Sequence, residues 1–386
     1  MNITKSVAVA DSLHPVRPVA RLHAHAANVP RRLHGLGPAA AFVLLVCAGA
    51  LSGCSNTANR PRVTPGPNAA TSDAPLDVDS PVESSQLRER AIEMLVTAAT
   101  SGAPEQRVNA LEGLLAVPSR LGPVVALAVK DPSVAVRTVG AIVAGRARVP
   151  GSAPGIRPLL NDASQYVQAA AIYALTRLGE NPDQTPLARM LKDASPRVRS
   201  HAAFVIGELG NTSAVPLLRD AQAAPTPGVG AAQARMMRLQ LAEAMAKLGD
   251  QAAIQEIRAA IYPSSIEDLE TAALAAQILG QVRDQPSRGN LIVLTALWNE
   301  KHEYYPPEIR LAAASALAKL GNPRGGFIAQ EYAASNVAPQ RAQAAAVFGE
   351  TRLRENLGAL APLMRDADPL VRVAAAAGVL KITESQ

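Results

Sequence analysis

One motif, restated along most of the chain, limits what this sequence can fold into. Over residues 193–210 it reads D-A-S-P-R-V-R-S-H-A-A-F-V-I-G-E-L-G. An acidic turn leads to a proline at a position where a helix can start without losing a hydrogen bond. A Val-Arg pair follows, then small and aliphatic residues at helical period, up to a Leu-Gly stop. The position of the second arginine recurs as Arg107, Arg137, Gln168, Arg199, Arg238, Glu270, Arg310, Arg341 and Arg372, spaced 30, 31, 31, 39, 32, 40, 31 and 31 residues. A fixed period of this length is the mark of a solenoid, in which no unit buries its apolar face alone and each packs on its neighbours. The Leu-Gly pattern places helix ends at Gly179, Gly210, Gly249, Gly280 and Gly321, and Phe-Gly places one at Gly349.

Between the marked helices lie second limbs, at 122–130, 154–161, 185–192, 214–221, 251–261, 288–299, 324–334 and 356–365. A further helix over 86–100, with Leu87, Ala91, Met94, Leu95 and Ala98 on one face, opens the stack. Aromatic residues make up only 3% of a chain that is 48% hydrophobic, much of it alanine. Alanine favours helix and lets helices approach closely. The expected fold class is therefore all-α: an α-solenoid, a superhelical stack of about nine helical hairpins over residues 85–383, after a disordered N-terminal segment. An open arc is expected, its concave side formed by the marked helices.

The first 84 residues read differently. An apolar run at 39–50, preceded by Arg31-Arg32, is too short to span a bilayer but has the length of a signal-peptide core. Leu51-Ser52-Gly53-Cys54 follows it directly and resembles the lipobox of bacterial lipoproteins. That resemblance implies cleavage after residue 53, lipidation of Cys54, and a membrane held through N-terminal acyl chains. A start at Val29 would give the signal an n-region of ordinary length. The expected localisation is the bacterial cell envelope, on the periplasmic side, with Ser55 favouring the outer membrane. Residues 54–84, rich in Pro, Ser, Thr, Asn and Asp, are expected to form the lipidated cysteine and a disordered tether.

The repeat itself resembles the HEAT-repeat family, in the short form typical of bacterial HEAT-like proteins, over roughly residues 85–383. In that family an aspartate and an arginine form a structural ladder between neighbouring turns. Carried over, the ladder takes Asp131 with Arg137, Asp193 with Arg199, Asp366 with Arg372, Asp162 ahead of Gln168, and Arg310 and Arg341 at the same register. The resemblance implies fold more firmly than activity, because one scaffold carries many functions.

Candidate chemistry is sparse. There is no Gly-x-Ser-x-Gly elbow, P-loop, HExxH or CxxC pattern. His302-Glu303 is the one His-Glu pair, short of the several that hold two irons in HEAT-fold hydroxylases. Neither catalytic residues nor a metal or other cofactor is expected. Glu208, Glu243 and Glu350, near the ends of marked helices, read as solvated charges. The chain carries 38 Lys/Arg against 32 Asp/Glu, but its first 53 residues hold five of the bases and one acid. The remainder, 33 against 31, is too balanced for a nucleic-acid groove.

Two spacings exceed the period, at 223–230 and 299–308. Around the second, Trp298, His302, Tyr304 and Tyr305 gather in a chain with one Trp, six Tyr and four Phe. Trp and Tyr dominate interface hot spots, so these four are the candidate partner contacts. The expected function is a membrane-anchored, non-catalytic protein-binding scaffold. The alternatives are a HEAT-like lyase or modifying enzyme, since bilin lyases carry a similar repeat, and an intracellular regulator if the signal is spurious.

Overall fold

The computed structural model describes residues 77, 80–263, 265, 268–296 and 304–384. The expected signal peptide, Cys54 and all of the tether up to residue 76 lie outside them.

Eighteen α-helices are paired into nine hairpins among the described residues. They are α1 Pro81–Ser101 with α2 Pro104–Gly113, α3 Leu121–Ala128 with α4 Val134–Arg146, and α5 Ala153–Ile156, continued by a 3-10 turn, with α6 Gln165–Arg177. Next come α7 Thr185–Met190 with α8 Pro196–Leu209, α9 Val215–Ala223 with α10 Ala231–Lys247, and α11 Gln251–Ala260 with α12 Leu269–Gln281. The series ends with α13 Arg288–Leu294 and α14 Pro307–Lys319, α15 Arg324–Tyr332 and α16 Ala338–Thr351, and α17 Leu357–Leu363 and α18 Pro369–Thr383. Helix α1 begins at Pro81, inside the stretch assigned to the tether. Ser80 Oγ accepts from the Glu83 N–H at 3.3 Å and Pro81 opens the first turn, a start set by capping and not by an apolar face.

The acidic turn builds the entry to several even-numbered helices. Asp131, Asp162, Asp193 and Asp366 each accept, through one carboxylate oxygen, the N–H two residues on, at 2.8, 2.9, 2.8 and 2.8 Å. Exits follow the Leu-Gly pattern at Gly179, Gly210, Gly249 and Gly321, all at positive φ. Gly280 and Gly349 depart from it: both lie inside their helices, and the left-handed turn falls to Arg283 and Arg352, each at φ 54°. The reason is packing. A Cβ on Gly280 would come 2.6 Å from the Ala316 Cα, and one on Gly349 would come 2.6 Å from the Gly378 Cα. These glycines are needed where adjacent even-numbered helices touch.

The even-numbered helices pack side by side in order, and the series does not end at α18. That helix packs against α16 on one side and against α1 and α2 on the other. Arg88 Nη1 donates to Thr383 Oγ1 at 3.2 Å and Arg354 Nη2 donates to Ser84 Oγ at 3.0 Å. A Cβ on Gly113 would meet the Ala377 Cβ at 2.9 Å, the same close approach found between successive units. The open arc expected from the repeat is thus closed into a ring, even-numbered helices inside and odd-numbered ones outside. Small residues on the inner helices allow the close approach that curves the stack until its ends meet. The core is continuous around this ring, from Leu87 in α1 to Ile382 in α18.

Candidate functional site

The ladder forms with one change of partner. The carboxylates of Asp131, Asp162 and Asp366 turn back to the arginine of the preceding unit, while the side chain six residues on takes the aspartate's backbone carbonyl. Asp193, whose preceding unit has Gln168 at the marker, accepts from Gln165 instead. Arg107 pairs with Asp131 at 2.9 Å, Arg137 with Asp162 at 2.9 Å and Arg341 with Asp366 at 2.7 Å. Arg137 and Arg372 donate to the carbonyls of Asp131 and Asp366 at 2.9 and 2.7 Å. Burial would raise the Asp162 carboxyl, but Arg137 and the Ser164 N–H hold it below its ordinary value. Asp366 is held down likewise, chiefly by Arg341.

The ladder breaks at Arg199, ahead of the first long spacing, and at Arg310, whose next unit carries Ser335 in place of the aspartate. Arg199 donates to the carbonyls of Asp193 and Pro225, because the insertion at 223–230 brings backbone where a carboxylate would stand. Arg310 finds no aspartate either. It donates to the Thr295 carbonyl at 3.1 Å and the Tyr332 hydroxyl at 2.7 Å, pairs with Glu331 at 2.8 Å, and lies over the Tyr304 ring at 4.4 Å. Arg310, assigned to the ladder from sequence, instead anchors an aromatic edge. Tyr304 is 57% exposed and Tyr262 54% exposed; Tyr305 and Tyr332 are half-buried beside them. Burial, helped by Tyr262, pushes the Tyr305 hydroxyl up. Trp298 and His302 lie outside the described residues.

The second site is the lumen of the ring, about 640 Å³ in volume. Its walls are the C-terminal turns of the inner helices. Glu208 accepts from Arg146 at 3.2 Å and from Lys247 at 2.9 Å, and Lys247 also pairs with Glu243 at 2.8 Å. The Phe204 ring lies 5.7 Å from the Arg146 guanidinium and 5.2 Å from the Lys247 ammonium. Across the lumen Lys381 pairs with Glu350 at 2.6 Å. Burial opposes ionisation of Glu350, yet Lys381 and Lys319 outweigh it and bring the carboxyl down to about 2. For Glu112 the balance reverses: burial dominates over Arg146 and Lys381 and pushes it up to about 7.

Glu208, Glu243 and Glu350 are therefore not the solvated charges expected of them. Ring closure turns the helix face that carries them inward. Of the lumen residues, Arg146, Lys247, Lys381 and Glu112 were missed altogether. A signal existed: the position nine residues after the repeat marker holds Arg146, Arg177, Glu208, Lys247, Lys319, Glu350 and Lys381 in seven units. Among the described residues no three His, Cys, Asp or Glu side chains converge as metal ligands, and no helix is long and apolar enough to cross a membrane.

Residues 185–262 match the family model for HEAT repeats. Among curated protein sequences none matches the chain significantly. Several solved structures are similar to it. Human deoxyhypusine hydroxylase in complex with glycerol is 16% identical with a TM-score of 0.33, covering 72% of this chain and 97% of that one. The CpcE–CpcF complex of phycocyanin lyase from Nostoc sp. is 19% identical with a TM-score of 0.34, covering 67% and 94%. Kap121p bound to Ste12p is 13% identical with a TM-score of 0.29, covering 74% of this chain and 37% of Kap121p.

Proposed function

We propose that the protein, whose residues 185–262 match HEAT repeats and whose other hairpins follow the same period, is a non-catalytic binding scaffold that holds another protein at its aromatic edge. The observation that carries this reading is the exposed Tyr304 lying over Arg310, where the ladder is interrupted, with a second exposed tyrosine, Tyr262, close to Tyr305. Tyrosine offers large contact area with few torsions to freeze, and arginine adds directed donors, the combination interfaces favour. The closed ring moves the contact away from the concave side, since a lumen of about 640 Å³ cannot admit a folded domain. The lipobox-like sequence at Cys54 supports a lipidated form of the scaffold, anchored to a bacterial envelope membrane through that cysteine. No nucleic acid enters this reading.

Crosslinking and affinity recovery from membranes test it. Tyr262→Ala with Tyr304→Ala should cut recovery of the partner at least tenfold, as loss of two hot-spot side chains implies. Unchanged recovery removes the edge from the proposal. Fatty-acid labelling that persists in Cys54→Ala removes the anchor.

A further inference from the structure

We propose that the ring's lumen is a binding site for a small organic anion carrying two or more negative groups. Six cations line it, Arg146, Lys247, Arg283, Lys319, Arg352 and Lys381, against three carboxylates, Glu112, Glu208 and Glu350. Glu208 is already shared between two cations, and Glu350 is held by Lys381. Two further carboxylates, Glu243 and Glu384, pair with Lys247 and Arg352, so six cations meet five acids and the lumen keeps a small positive excess inside low-dielectric walls, where field lines concentrate. Its volume, about 640 Å³, suits a metabolite-sized molecule. Phe204, Leu311 and Val347 give it an apolar patch for a carbon skeleton.

The cations are not simply neutralising helix ends. The last carbonyls of several inner helices are already taken by the turns that follow. The N–H groups of Glu180, Asp250, Asp284 and Asn322 donate to the carbonyls of Leu175, Met245, Leu279 and Leu317 at 2.9, 3.0, 2.9 and 2.8 Å.

Two further observations concern cost. Arg148, Arg283 and Arg352 hold the left-handed turn that Gly179, Gly210, Gly249 and Gly321 fill in other units. Arginine is the dearer choice there, and two of the three, Arg283 and Arg352, line the lumen. Gln343 is 6% exposed and lines the lumen, and its Oε1 has no hydrogen-bond partner among the described residues. A buried, unsatisfied carboxamide destabilises a fold. Rotation about its last torsion turns an N–H donor to a bound anion.

The test is calorimetric titration of the full chain, at low ionic strength, with pyrophosphate, with citrate and with a hexaglutamate peptide. Saturable binding of pyrophosphate or citrate, one per chain, is expected, and the preferred one separates phosphate from carboxylate chemistry. Arg283→Gly should weaken it about tenfold, the size of one charge-assisted contact. Gln343→Leu should weaken it about fivefold. Neither variant should lower the melting temperature, which distinguishes a ligand role from a structural one. Failure of both compact anions to bind, binding of the peptide alone, or equal affinity in wild type and both variants overturns the proposal. Partner recovery through Tyr262 and Tyr304 is read independently, so either idea can fall without the other.

Discussion

His201 is 1% exposed and packs its ring edge-on against Tyr166, 5.3 Å between centroids. Its Nε2–H donates to the Tyr166 carbonyl at 2.9 Å, while Nδ1 has no partner among the described residues. Burial outweighs that bond and pushes the imidazole down to about 4. The unfolded chain then binds the proton first, so stability present above about pH 6.5 is lost as pH falls toward 4. The loss attributable to this one ring by pH 5 is on the order of 2 kcal/mol. His201→Gln keeps a donor for the Tyr166 carbonyl and does not titrate. Its urea midpoint should differ less between pH 7 and pH 5 than that of the wild type; an equal difference would assign the acid sensitivity elsewhere. Glu112, raised to about 7, acts in the other direction, its contribution fading as pH climbs from 4.5 toward 7.

At the scale of elements, the contacts between inner helices decide most. Gly349 in α16 faces Gly378 in α18 so closely that an added methyl would sit 2.6 Å from backbone. Gly349→Ala gains helix propensity but must push two helices apart, and a net loss of about 1–3 kcal/mol in denaturant titration is expected. Periodicity made the hairpins readable, because apolar spacing and the marker both repeat with the unit. It misled at Gly280 and Gly349, where a glycine after an apolar residue resembles a helix stop but serves a contact that only three dimensions reveal. The acid–base pairs were read six residues apart, yet Asp131, Asp162 and Asp366 bind side chains 24 or 25 residues earlier. A second set on the outer helices, Arg157–Glu180, Arg219–Asp250 and Arg258–Asp284, escaped notice. Its acids stand just after helix exits, where they read as turn residues.

For the whole molecule the junction of α18 with α1 and α2 is the defining contact. A linear solenoid has free ends that fray, and its stability sums over neighbours. A ring has no free end, so removing one unit costs two junctions at once. Deleting residues 354–386, which carry α17 and α18, should lower the urea midpoint and replace one sharp transition with a broad or stepped one. A transition of unchanged sharpness and midpoint would count against closure. The lumen was illegible in the sequence for the same reason: the register that lines it is visible, but nothing local says that the first and last copies meet. Closure also fixes an integer. Tandem duplication can lengthen an open stack copy by copy without harm, whereas here an extra copy has nowhere to go. The gene's freedom to drift in length is confined to the two insertions, the places where the circuit already carries slack.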